Sequence, residues 1–278
     1  MNPAEQAAAK TASASLDLRL SLIFCPAGQR PAQTALHALY LELHEVPREA
    51  RDPGVADVKL RWWEEEIALL QAGKPRHPLS QALFPYLAAL KGREVLFLDL
   101  IAGTRADIAG AGLSTFEDVK RYCFRHSGAL SELSALLGGA HAEETLLAAR
   151  LLGNASCLAG VASGGIAAAL NGRLLFAAED LKLHGVDQHI NGETHADAPV
   201  RALVQDYEDR ARAMRAAALR SVPVAERPAL TVWQVRSALA LKRARKQERA
   251  GSATAAEPVA LHPLSALITA WVSARSTS

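Results

Sequence analysis

Residues 151–172 run without a single charged side chain, closed at one end by Arg150 and at the other by Arg173. A stretch of this length is long enough to cross a bilayer, and Gly160 and Gly164 have the small-xxx-small spacing that lets membrane helices pack closely. Asn154, Ser156, Ser163 and Asn171 lower its apolarity, neither end carries an aromatic belt, and the chain has no second segment of the kind. The stretch therefore reads as the buried central helix of a soluble all-α domain.

The rest of the chain agrees with helix. Half of its 278 residues are apolar but only 5% are aromatic, so the core must be built from Ala and Leu, which favour helix over strand. A formal charge of +2 is too small for a nucleic-acid footprint, and no nucleic-acid partner is expected. Cys25, Cys123 and Cys157 are odd in number and widely spaced in apolar surroundings, which suits reduced, packed thiols and a cytoplasmic location. Residues 1–17, rich in Ala and Ser with no apolar run, read as a flexible tail ahead of a helical domain over 18–278.

Periodicity and end signals divide that domain into nine or ten helices. Arg30-Pro31 opens one whose apolar face (Ala35, Leu36, Leu39, Leu43, Val46) ends at Pro47, and Pro53 opens the next, stopped by Gly73-Lys74-Pro75. Ser114-Thr115-Phe116-Glu117 has the form of a capping box. Trp62 and Trp63 with Glu64 to Glu66 form an amphipathic stripe, apolar on one side and solvated on the other. Residues 187–197 read as an exposed connection and 250–257 as a flexible linker; no alternating strand is found.

Several segments, in this order and spacing, resemble the squalene/phytoene synthase family of head-to-head prenyltransferases: residues 30–45 (RPAQTALHALYLELHE), 59–67 (KLRWWEEEI), 73–78 (GKPRHP), 121–128 (RYCFRHSG), Leu152-Gly153, and 171–186 (NGRLLFAAEDLKLHGV). The resemblance implies one all-α domain of the isoprenoid-synthase type, with helices around a central apolar cavity. It also implies two acidic motifs that hold Mg²⁺ against a diphosphate from opposite walls. Carboxylates four residues apart lie one turn apart on a helix face, so both reach the same hard cations.

This chain departs from that pattern on both walls. The first motif falls on residues 44–48, where His44, Glu45 and Arg48 stand at its acidic positions, with Glu42 nearby; Glu45 is the one carboxylate kept and Arg48 repels a cation. The second falls on Gly164 and Ala168, with Cys157 and Gly160 a turn earlier, and none of these binds a metal. No cofactor is expected; Glu45 is the remaining ligand if any metal binds, and Mg²⁺ enters only if catalysis survives.

Arg121, Arg125 and Arg173 form a candidate phosphate or headgroup site, although each also suits an ordinary helix-end or surface charge. His184, His189 and His195 lack the spacing of a zinc site. The basic run 242–249 complements a helix end and offers cations to an anionic membrane. The losses resemble a branch of the family with eroded motifs that acts in assembly of respiratory complex I. The first expectation is thus a non-catalytic protein that binds a long-chain isoprenoid or lipid, or assists assembly with a protein partner. An active prenyltransferase and a module peripheral to the inner face of the membrane are the alternatives.

Overall fold

The computed structural model describes residues 1–276 apart from 51, 111, 189, 191–197, 221 and 251–258, and gives the backbone alone for 249 and 250. Among the described residues the chain is helical, with no strand. Thirteen α-helices follow in order: α1 Pro3–Ala12, α2 Leu16–Phe24, α3 Arg30–Glu49, α4 Pro53–Gln71, α5 Pro78–Leu83, α6 Glu94–Ala109, α7 Phe116–Cys123, α8 Ala129–Leu137, α9 Glu143–Leu170, α10 Ala178–His184, α11 Ala198–Ala218, α12 Thr231–Ala250 and α13 Pro263–Arg275. Two 3₁₀ turns, Phe84–Leu90 and Val224–Leu230, link helices, and a π-helical turn, Phe124–Gly128, joins α7 to α8.

The uncharged stretch lies in α9, which is long and apolar enough to span a membrane. It packs instead against α7, α8, α11 and α12, burying Leu152, Ala155, Leu158, Ala159 and Ala162 among others. Its approach to α8 depends on Gly153. A Cβ there would stand 2.3 Å from Ser131 Oγ and 2.4 Å from the Ser127 carbonyl oxygen. Ala142 supplies no side-chain cap to α9; the Glu226 carboxylate does so from the second 3₁₀ turn, accepting from the backbone N–H of His141 and Ala142. Glu143 and Glu144 in the first turn complement the helix dipole.

A second packing centre is α3, which packs against α1, α4, α5, α6 and α8. Leu36, Leu39 and Leu43 are fully buried, each worth roughly 1.5–3 kcal/mol relative to exposure. Buried Gln33 donates to the Ser134 carbonyl at 2.7 Å and accepts from Ser134 Oγ at 2.7 Å, locking α3 to α8. The helix continues past Pro47 to Glu49, although proline has no N–H to give the carbonyl four residues back.

Where the sequence suggests a flexible tail over residues 1–17, the structure has α1 and the start of α2. α1 carries a full capping box between Asn2 and Glu5, buries Ala7 and Thr11, and packs on α3 and α5; α2 follows it directly. Its buried side chains are too small to leave an apolar signature. Two further readings shift. The box at α7 uses Thr115 and Asp118, one residue later than expected. Glu66 is buried rather than solvated, and accepts from the backbone N–H of Arg76 and His77 at 2.9 and 2.8 Å. It thereby fastens the turn after α4 beside Trp63, whose ring lies 4.8 Å from that of His77. Residues 187–197 and 250–257 lie largely outside the described residues, as do His189 and His195.

Candidate functional site

Where α3 ends, its side chains meet α6, the π-helical turn and the loop after α9. His44 Nε2 lies 2.9 Å from His126 Nδ1, so the pair shares one proton; His126 Nε2 lies 3.5 Å from Asp107 Oδ1, and Arg173 Nη2 is 2.5 Å from the same oxygen. Tyr40 and Tyr122 flank this chain, their rings 4.0 Å from His44 and 4.2 Å from His126. Burial, then the charge of His126, push His44 down to about 3, so it is neutral at physiological pH. Burial raises the Asp107 carboxyl, but its contacts with His126 and Arg173 prevail and hold it below the ordinary carboxylate value.

Two clefts open on either side of the Asp107–Arg173 pair. One, of about 480 Å³, is lined by His44, Glu45, Arg48, Asp107 and Arg173, so the first-motif positions and the residue that follows the second motif converge on it. The other, of about 220 Å³, gathers Arg121, Arg125 and Arg173 around Tyr122. The three arginines are thus brought together, each beside an acid: Arg121 lies 3.3 Å from Asp118, Arg125 3.7 Å from Asp99, and Arg173 on Asp107. Asp107 and His126 went unread in the sequence. Neither belongs to a local pattern, and the one hint was the place of His126 inside the 121–128 segment.

The carboxylates in and around the first motif, Glu42, Glu45 and Glu49, are each met by a lysine. Lys10 Nζ is 2.6 Å from Glu42 Oε2 and also contacts Glu45, and Lys59 Nζ is 3.0 Å from Glu49. Burial disfavours the Lys10 ammonium, but the two carboxylates prevail and raise its pKa above the ordinary value. On α9, Gly160 and Gly164 face open space: a Cβ on either meets no atom within 4 Å. Ala168 continues this accessible side. Cys157 on the same helix is hydrogen-bonded to buried Cys123, whose thiol is pushed well up by that bond and by burial.

Mg²⁺ demands several oxygen ligands in near-octahedral array. Glu42 and Glu45 share the single cation of Lys10, Asp107 is paired with Arg173, and α9 presents Gly160, Gly164 and Ala168 at the second-motif positions. Among the described residues, no group of three or more His, Cys, Asp or Glu is placed to hold a metal ion.

Other sequence candidates have structural partners. Asp180, buried just beyond the 171–173 Asn-Gly-Arg segment, accepts a forked pair of hydrogen bonds from Arg210, both 3.0 Å, and one from Tyr207 at 2.8 Å. The Tyr207 hydroxyl in turn accepts from the Ala177 N–H at 2.9 Å. His184 lies 3.3 Å from Asp206. In the basic run, Lys242 and Lys246 donate to α13 and to the segment before it, and Arg243 pairs with Asp17. Half-buried Arg236 stacks 4.3 Å above the Trp233 ring, and its Nη1 makes no hydrogen bond.

Helices of this number and order, enclosing clefts at the junction of α3 and the loop after α9, define an all-α protein of the isoprenoid-synthase type. Residues 12–265 match the squalene/phytoene synthase family model, and the chain belongs to that family. It is similar to phytoene synthase of Arthrospira platensis, 32% identical over 77 residues, which is 28% of this chain and 25% of that protein. It is 29% identical over 122 residues to 15-cis-phytoene synthase of Synechocystis sp., 43% of this chain and 35% of that one. The chain thus spans about a quarter to a third of the curated relatives it matches. Among solved structures it resembles squalene synthase HpnC from Alicyclobacillus acidocaldarius, with TM-score 0.75, 22% identity, and coverage of 89% of this chain and 94% of the other. It also resembles a dehydrosqualene synthase solved in complex with a ligand, with TM-score 0.78, 18% identity, and coverage of 99% and 100%.

Proposed function

We propose that this protein has kept the synthase fold without the metal-assisted ionisation of a prenyl diphosphate, and serves as a binding or assembly protein whose interior accepts a long-chain isoprenoid or lipid. One observation carries the reading: Lys10 occupies the carboxylates of one wall while the other wall presents glycine and alanine. A departing diphosphate needs concentrated positive charge that strengthens as the bond breaks. Here Arg121, Arg125 and Arg173 are each already beside an acid, so their field toward an added anion is largely offset. What remains is open space at Gly160 and Gly164 on α9, together with a cleft of polar groups at the end of α3, features that suit a long apolar chain with a modest headgroup.

A second reading, an active head-to-head prenyltransferase, draws support from the convergence of His44, Glu45, Asp107 and Arg173 on one cleft, and from the names of the relatives. Incubation of the purified protein with farnesyl or geranylgeranyl diphosphate and Mg²⁺ separates the two. The binding reading expects no pyrophosphate release above background, and an apolar lipid retained in native mass spectrometry. Mg²⁺-dependent release that Glu45→Gln abolishes would establish the enzyme and overturn the first reading.

A further inference from the structure

α13 is amphipathic in the inverse sense. Its buried face is small, formed by Ala266, Ala270 and Ser273 against α12 and α2. Its large apolar side chains point outward: Leu264 is 64% exposed, Leu267 42%, Ile268 61%, Trp271 45% and Val272 56%. These positions, spaced i, i+3, i+4, i+7 and i+8, form one stripe along a helix roughly 20 Å long. Exposed apolar residues scattered singly are ordinary; a whole helical stripe of them marks a contact surface.

The surroundings say what the stripe meets. α13 holds no acidic residue, and its basic end residue, Arg275, lays its guanidinium 4.1 Å above the Trp271 ring. Along its flank runs α12 with Arg245 and Lys246 exposed, and the cleft between the two helices is lined by Arg212, Lys242, Arg245, Lys246 and His262. The one acid there, Glu208, is paired with Arg212. In a chain whose net formal charge is only +2, this is a local concentration of cations beside an apolar stripe. A second copy of the chain is the poorer occupant: five half-exposed side chains offer on the order of 400 Å², against roughly 800 Å² per partner in a stable dimer.

We propose that α13 is an interfacial anchor, lying flat in the headgroup layer of an anionic phospholipid bilayer with Leu264, Ile268 and Trp271 inserted and Arg245 and Arg275 facing lipid phosphates. An aromatic and apolar stripe beside cations is the arrangement that binds such a surface, and each cation near it adds attraction that salt weakens. The inference is independent of what the interior cleft holds.

The test is flotation of the full chain with vesicles of phosphatidylcholine alone, or with about one-third phosphatidylglycerol. Binding is expected to the anionic vesicles, at least tenfold weaker to the neutral ones and weaker in high salt. Ile268→Glu is expected to lower partitioning at least tenfold while leaving the thermal unfolding midpoint unchanged, since the side chain packs against little. Arg275→Glu is expected to reduce binding to anionic vesicles only. Failure of the unaltered protein to float with anionic vesicles overturns the proposal, as does equal binding by Ile268→Glu. A concentration-dependent dimer that Ile268→Glu dissolves, with no vesicle binding, assigns the stripe to a second copy instead.

Discussion

The ammonium of Lys10, on the first helix, lies 2.6 Å from Glu42 Oε2 on the third and contacts Glu45 as well, so one cation from α1 bridges two carboxylates and leaves the trio with one negative charge. Replacing Lys10 by Met is expected to lower stability by about 1 kcal/mol, the upper end for a pair this accessible to water. Added Mg²⁺ is expected to leave the unaltered protein's unfolding midpoint in place and to recover part of the loss in Lys10→Met, because a divalent ion then stands in for the ammonium. Urea titrations with and without 10 mM Mg²⁺ (about that concentration suffices for weak sites) read both effects.

Stability is expected to fall on acidification through two buried imidazoles. Burial, followed by the charge of Arg236, pushes His37 down to about 3; burial and His126 do the same to His44. With folded values below the unfolded one of about 6.5, each residue stays neutral in the native protein while the unfolded chain takes up a proton. The stabilisation is complete above about pH 6.5 and lost as pH falls toward 3, by about 1.4 kcal/mol per unit for each histidine. Unfolding midpoints measured between neutral pH and the onset of acid denaturation check the slope, and His37→Gln is expected to reduce it.

Two glycines of α9 are expected to respond in opposite directions to alanine. Gly153→Ala drives a methyl into Ser131 Oγ and the Ser127 carbonyl and forces α9 from α8, a cost of about 2–4 kcal/mol. Gly160→Ala meets nothing within 4 Å and is expected to gain about 0.5–1 kcal/mol from helix propensity. Denaturant unfolding of the two variants settles both signs.

Tyr207→Phe removes a hydroxyl that accepts from the Ala177 N–H and donates to buried Asp180. A buried N–H left without its acceptor makes the expected loss about 1–3 kcal/mol. Arg210 still holds Asp180, so the fold is expected to survive, with hydrogen exchange accelerated at Ala177.

The helices were legible because their apolar faces repeat at helical spacing: α3, α4 and α9 lie within a few residues of where periodicity and prolines place them. α1 was not, since Ala7 and Thr11 bury faces that composition cannot distinguish from a solvated Ala-rich segment. At α7, Ser114 and Glu117 satisfy the same capping pattern as Thr115 and Asp118, and only the backbone decides between them. The site was half legible. His44, Glu45, Arg48 and Arg173 stand at motif positions, whereas Asp107 and His126 acquire their role from contacts across helices.

The π-helical turn at Phe124–Gly128 gives this stretch one residue more than an α-helical turn would hold. Excising one residue there would restore an ordinary α-helical turn and leave the two flanking rods in line, while re-aiming the side chains within the turn. The meeting of His126 with His44 is therefore set by chain count as well as by chemistry: a relative one residue shorter at this joint would aim a different side chain at α3.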